Sequence, residues 1–318
     1  MAVLPGAVIC PGEYTFKKRA CYTDPMMKTM PVRKRNIPEP LFYLLVYGAI
    51  FLVAVSGLFI MALLVDRDVR YIPDYERINL KDYMASVGGS FSAADYRVLL
   101  EQTGLGKDAV DLVVLSSGDP VYVLERYQND FFRSWDYLCE QVGIVTSEEH
   151  LVGDNGYWVD AFYLADVRVG DILLTKGTHS MGWRHGHAAI VIDAREGITL
   201  EAVLWGLPSE FQYIDKWRSF PTFIQLRHRD KTLGAEAAAI AADKLHGLNY
   251  GILAGMISKN AENPRTTQCS HLPWYAYKRL GYDVDSNGGW LVLPKDIAAS
   301  GDLEIVQIYG VDPSNLWK

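Results

Sequence analysis

At 318 residues and 49% hydrophobic side chains, the chain is long enough for a membrane anchor plus one or two globular units with real cores. Its net charge of −7 is unevenly split: residues 1–40 hold seven Lys/Arg against three Asp/Glu, a balance of +4, so the rest of the chain sums to −11. An acidic body excludes nucleic acid as a partner, and four scattered cysteines (Cys10, Cys21, Cys139, Cys269) without C-x-x-C or zinc-type spacing exclude a disulfide framework and a zinc site.

In chain order, residues 1–40 read as a basic tail that begins poorly ordered, with Pro5, Pro11, Pro25 and Pro31. Residues 41–65 carry no charge. As a helix they would extend about 37 Å at 1.5 Å per residue, enough to cross a hydrocarbon core of roughly 30 Å with some tilt. Uniform apolarity leaves no polar face for a buried amphipathic helix, and the run is too long and starts too late for a cleaved signal peptide. Lys17, Lys18, Arg19, Lys28 and the Arg33-Lys34-Arg35 triplet precede the span and favour a cytoplasmic N-terminus with the body outside. Arg67, Arg70, Arg77 and Lys81 follow it, and counting 20 residues on each side gives four basic residues against four.

Residues 66–91 read as a juxtamembrane connector, and 92–164 as a small helical subdomain. Ser92 with Asp95 forms a capping-box pattern that opens a helix through about 102. Thr103-Gly104-Leu105-Gly106 breaks it, a second helix runs to about 115, and a third covers about 120–132. Leu99, Leu100, Leu112, Leu115, Val121 and Leu124 fit packed helical faces. Cys139 reads as a buried, inert thiol. From 165 to 318 the pattern becomes strand-rich: strands at 169–174, 187–192, 198–204, 223–228 and 303–308, with an alanine-rich helix at 233–245, a helix from Cys269 to near Gly281 capped by Thr266 or Thr267, and a short helix at 294–299.

Two motifs carry chemistry. Gly186-His187-Ala188-Ala189-Ile190-Val191 is a strand opening with a histidine, and Gln268-Cys269-Ser270-His271-Leu272 is a helix start opening with a cysteine. A thiol at a helix N-terminus lies where backbone N–H groups favour the thiolate. An imidazole on a rigid neighbouring strand can pair with that thiolate and later deliver a proton. If residues 193–197 form a five-residue hairpin loop with Ile192 opposite Ile198, Glu201 stands opposite Ala189, on the face of His187 and diagonal to it, where a carboxylate can hold the imidazole tautomer. Glu201 as a solvated strand residue is the alternative. His185 shares the strand parity of His187 and is the alternative base, or else a rim residue or substrate contact. His271 should point around the helix as a packed or capping residue. Tyr250 is either an oxyanion donor or core. Asp171 stabilises a turn.

Gly170-Asp171-Ile172-Leu173-Leu174, the His187 motif, Leu200-Glu201-Ala202 and Cys269-Ser270-His271-Leu272 occur in an order that resembles circularly permuted NlpC-type papain-like cysteine hydrolases, closest to the YiiX/YebB-like branch, over residues 165–318. The lecithin–retinol acyltransferase group is a more distant likeness. The resemblance implies an α+β, permuted papain-like fold, with Cys269 as nucleophile, His187 as base and Glu201 as third polar residue, and no metal or cofactor. It implies a membrane-anchored thiol hydrolase cleaving an amide in murein stem peptides. An acyl-lipid or ester hydrolase or acyltransferase on the same fold, and a non-catalytic binding module, stay open.

The basic tail and the uncharged run give a topological expectation. Protease added to intact spheroplasts should digest the body and spare the tail; full protection of residues 70–318 until lysis would reverse the orientation.

Overall fold

The computed structural model describes residues 38–64, 70–251, 253–254, 259 and 262–317; the tail at 1–37 and residues 65–69 lie outside the described residues. The chain divides into two units within the first helix, residues 1–51 and 52–318. That helix, α1 (Glu39–Leu64), begins two residues earlier than the sequence suggests and covers the expected apolar run as far as Leu64. It is long and apolar enough to cross a membrane, and no part of its most apolar stretch is buried, unlike a core helix of a soluble domain.

The body is mixed α+β. It opens with α2 (Leu80–Val87), inside the segment expected to be connector, followed by α3 (Ala93–Thr103), α4 (Lys107–Ser116) and α5 (Pro120–Phe131). Local chemistry sets these helices. Ser92 and Asp95 form the reciprocal capping box of α3, Gly104 ends it in the left-handed conformation, and Asp119 caps α5 with Pro120 in its first turn. Leu80, Leu99, Leu105, Ala109, Val110 and Leu124 form a core of their own that also takes in Val306.

The helical reading of 92–164 does not hold throughout. Residues 136–152 form an antiparallel hairpin, β1 (Asp136–Gln141) and β2 (Thr146–Val152). With β4 (Thr178–Ser180) and β5 (Trp183–Arg184) it makes a four-stranded sheet ordered β1-β2-β4-β5. Apolar alternation misses β2 because polar residues are buried on both its faces, Glu148 and His150 on one and Glu149 on the other. Glu149 is tolerated there because Arg184 grips both its oxygens at 2.8 and 2.9 Å.

The main sheet is antiparallel and six-stranded, ordered β12-β9-β3-β6-β7-β8. Its strands are β3 (Ile172–Thr175), β6 (His187–Asp193), β7 (Ile198–Glu201), β8 (Glu210–Tyr213), β9 (Phe223–His228) and β12 (Leu303–Tyr309). One face packs under α6 (Gly234–Leu245) and α7 (His271–Arg279) through Ile172, Leu174, Ala188, Ile190 and Leu226. The other face packs Leu173, Ala189, Val191 and Phe223 against Leu151, Trp217 and Phe220. The α2–α5 unit covers the β12 edge: Ile308 N–H reaches Gly104 O at 2.7 Å and Gly106 N–H reaches Val306 O at 2.9 Å, which removes an open pairing edge.

The Gly-Asp-Ile motif anchors this sheet. Asp171 accepts the Arg168 N–H at 2.8 Å, the turn contact expected of it, and also pairs with Arg227 and Gln225 in the core. Gly170 has φ +88, and a Cβ there would lie 2.3 Å from Gly234 Cα, at the start of α6. Gly170→Ala should therefore destabilise the protein by about 3 kcal/mol through strain and backbone collision, whereas Gly118→Ala, which faces open space, should stay within about 0.5 kcal/mol. Denaturant unfolding of the two variants checks the difference.

Candidate active site

Antiparallel pairing brings the start of β6 and the end of β7 to the same end of the sheet. Ala189 stands opposite Glu201, with Ile190 opposite Leu200 and Val191 opposite Thr199. The expected premise was different: Asp193, not Ile192, stands opposite Ile198, and a bulge between Val191 and Asp193 absorbs the extra residue. The register at Glu201 is the same by either route. His187 Nε2 lies 2.8 Å from Glu201 Oε2.

Glu201 is saturated with donors. His187 Nε2 (2.8 Å) and Lys216 Nζ (2.7 Å) share Oε2, while Thr199 Oγ1 (2.7 Å) and Trp217 Nε1 (3.0 Å) share Oε1. It is 1% exposed, which rules out the solvated alternative. Thr199 has the same strand parity as Glu201 and was within reach of sequence reasoning. Lys216 and Trp217 were not: they arrive on a 3₁₀ helix, Ile214–Ser219, that follows β8. Trp217 also stacks on the His187 ring at 5.5 Å and 17°, fixing its plane.

Cys269 lies immediately before the N-cap of α7, which is Ser270. The threonine cap expected for this helix is absent. Thr266 and Thr267 instead form β11 (Thr266–Thr267), which pairs in parallel with β10 (Asn249–Tyr250) and sets Tyr250 beside Thr267. Thr267 Oγ1 meets His271 Nδ1 at 3.0 Å, and His271 is buried against Trp274 and Tyr275, a packing residue with its pKa pushed down to about 4 by burial. Gln268 supplies the missing local support. Its Oε1 accepts the Ser270 N–H at 2.9 Å and lies 3.4 Å from the Cys269 sulfur, while its Nε2 donates to Val292 O at 2.9 Å.

The Cys269 thiol lies within electrostatic reach of the His187 imidazole and the Ala188 N–H, and both favour its thiolate. Because Nε2 is on Glu201, the ring nitrogen facing the sulfur is Nδ1. The three residues thus form a chain, Cys269–His187–Glu201, buried throughout. Burial opposes every charge in it, and the partners outweigh burial. Hydrogen bonds to Cys269 and Glu201 and their negative charge push His187 up to about 9. Lys216 and His187 hold Glu201 down at about 2. His187 and the Ser270 hydroxyl draw the Cys269 thiol below its ordinary value. The arrangement favours a thiolate–imidazolium pair at neutral pH.

His185 is not part of that chain. Gly186, at φ +74, breaks the strand between the two histidines, and a side chain there would strike Thr175 O. Parity therefore fails across it. His185 turns to Ser180 Oγ at 2.9 Å and to Gly186 O at 2.6 Å. It lines, with Tyr250, Gln268 and Cys269, a cavity of about 320 Å³. Val203, Trp205, Met181, Trp183, Leu291 and Leu293 give the cavity its apolar wall. Burial and the nearby Cys269 charge push the Tyr250 phenol up, so it stays protonated as a donor. Cys139 is half-buried rather than fully buried, 3.5 Å from His179 Nε2 and away from this cavity's lining. Among the described residues no group of His, Cys, Asp and Glu could hold a metal ion.

No known family model, curated protein or solved structure matches this chain. The chemistry therefore rests on the site itself.

The shifts set a pH signature. His187, raised from 6.5 to about 9, contributes stability that is complete below its ordinary value and is lost as pH rises through about 9. Glu201, lowered from 4.5 to about 2, contributes stability present above its ordinary value and lost as pH falls towards 2. At pH 7 the thiolate absorbance of Cys269 should be visible, should disappear in His187→Ala as the thiol returns towards its ordinary range, and should be unaffected by Cys139→Ala.

Proposed function

We propose that this protein is a thiol-dependent acyl-transfer enzyme, a hydrolase when water is the acceptor, with Cys269 as nucleophile, His187 as acid and base, and Glu201 as the residue that orients His187. The observation that carries the reading is the buried group Cys269, His187 and Glu201 at the wall of an apolar cavity, with His187 held 2.8 Å from Glu201 and the thiol drawn down by His187. A binding module that kept the fold has no need of a thiol held below its ordinary pKa by a partnered imidazole.

The thiolate attacks a carbonyl carbon, and the C–S bond forms as the oxygen takes the charge. Tyr250, which faces the same cavity, is placed to donate to that oxygen. The tetrahedral adduct collapses, the bond to the leaving group breaks, and His187 gives its Nδ1 proton to the departing atom. Neutral His187, still held by Glu201 through Nε2, then takes a proton from water as its oxygen attacks the thioester. Collapse frees the carboxylic acid and restores the thiolate–imidazolium pair. No other reactant is required.

Murein stem peptides are one reading of the substrate, and acyl lipids the other. Stem peptides carry carboxylates and an ammonium group, and apart from the Cys269 thiolate no Lys, Arg, Asp or Glu among the described residues lines the cavity to pair with them. An acyl chain matches that wall, since apolar surface leaves water there at no electrostatic cost. We therefore favour an ester or amide with an apolar acyl group. An anchor through α1, with the N-terminus cytoplasmic and the body outside, would keep such a substrate within reach.

Cys269→Ala should abolish turnover without loss of fold, and His187→Ala should do nearly the same because the pair acts as a unit. Val203→Phe should cut turnover of a medium-chain acyl ester at least about tenfold while sparing the acetyl ester. Release of peptides from purified murein, with no chain-length preference among esters, would reverse the substrate choice. Full activity in Cys269→Ala would sink the mechanism.

A further inference from the structure

Two cations meet on one oxygen. His187 Nε2 and Lys216 Nζ lie 2.8 and 2.7 Å from Glu201 Oε2. A buried carboxylate with only the imidazole as charged partner would favour the imidazolium strongly, by about one to three pK units for an opposite charge at contact. An imidazolium held that firmly is a poor acid, and the reaction needs it to release its proton to a leaving group. Lys216 changes the charge count: Glu201 and Lys216 together are neutral. A quarter of the Lys216 side chain is exposed, so water reaches its ammonium group, whereas Glu201 shows no side-chain exposure.

We propose that Lys216 is a positioning residue of this site, which neutralises the carboxylate that orients His187 and so keeps the imidazolium acidic enough to act as general acid. The proposal rests on the thiol-enzyme reading above.

The other charged and titratable groups around the pair are accounted for. Glu148, on β2, lies near both His187 and Lys216 and is held below its ordinary value, burial being outweighed by His150, His187 and Lys216. His150 stands 3.5 Å from Glu148. Cys269 faces His187 directly, His185 feels its charge, and Tyr250 faces Cys269. None of these donates to Glu201 Oε2, so Lys216 alone shares that atom with the imidazole among the described residues.

The test follows iodoacetate alkylation of Cys269 in the full-length protein in detergent micelles, read by mass spectrometry from about pH 4 to about pH 11. Iodoacetate is an anion drawn to the imidazolium, so the upper limb of its rate profile reports the deprotonation of His187. Lys216→Met and Lys216→Gln should each move that limb up by about one pH unit, and Lys216→Arg should leave it in place. Glu201→Gln, which leaves Lys216 facing an uncharged amide beside the imidazolium, should move it down. The double variant Lys216→Met/Glu201→Gln should fall between the two singles, close to the parent, because it restores a neutral partner by another route. Lys216→Met should also slow turnover of an alkyl ester more than of a p-nitrophenyl ester, whose leaving group needs no proton.

An upper limb that stays in place or falls in Lys216→Met and Lys216→Gln overturns the proposal while leaving the thiol-enzyme reading intact. So does a failure of both to fold when Lys216→Arg folds, since Lys216 would then be a structural counter-ion. If parent Cys269 alkylates no faster than Cys139 at neutral pH, the thiol-enzyme reading itself fails and takes the proposal with it.

Discussion

The site depends on satisfying one buried carboxylate. Stripping Glu201 of water costs several kcal/mol on its own, and four donors, two on each oxygen, make up the loss: His187, Lys216, Thr199 and Trp217. The four donors come from three separate constraints. Thr199 is fixed by strand parity, His187 by the β6–β7 register, and Lys216 with Trp217 by the 3₁₀ helix after β8. A one-residue slip in β7 would turn Glu201 to the opposite face and leave His187 without its tautomer lock. The bulge near Asp193 is thus consequential: it absorbs a change in loop length without passing it on to Glu201.

Apolar surroundings strengthen this polar chain. Cys269, His187 and Glu201 are each at most 5% exposed, and the adjoining cavity is walled by Val203, Leu291, Leu293 and tryptophans. A low local dielectric makes the thiolate–imidazolium attraction larger and makes an unpaired charge correspondingly costly. The same apolar wall keeps bulk water from screening the pair.

The helical unit and the β1–β2 hairpin make this possible at a distance. The α2–α5 unit covers the β12 edge of the main sheet, and β1–β2 brings Leu151 against the face that carries Trp217 and His187. Glu148 and Glu149 enter that layer buried, with Arg184 gripping Glu149. The packing around the site thus draws on residues more than a hundred positions before Cys269.

By itself the sequence determined what depends on short-range periodicity and capping: the uncharged 41–65 run, the Ser92–Asp95 box, and five of the six strands of the main sheet, β8 excepted, with Glu201 on the face of His187 once a hairpin register is assumed. Those signals are local, set by neighbours within a few residues. Tertiary structure alone decided the rest. It chose His187 over His185, because Gly186 interrupts the strand and parity does not survive a positive φ. It took Thr266 and Thr267 out of a helix cap and into a ladder beside Tyr250. It turned the charged 136–152 segment into a hairpin whose second strand, β2, is buried, since a charge can be buried once Arg184 meets it, and no periodicity announces a partner 35 residues away. Lys216 was illegible for the same reason: a contact between side chains 15 positions apart in different elements exists only once the chain has folded back.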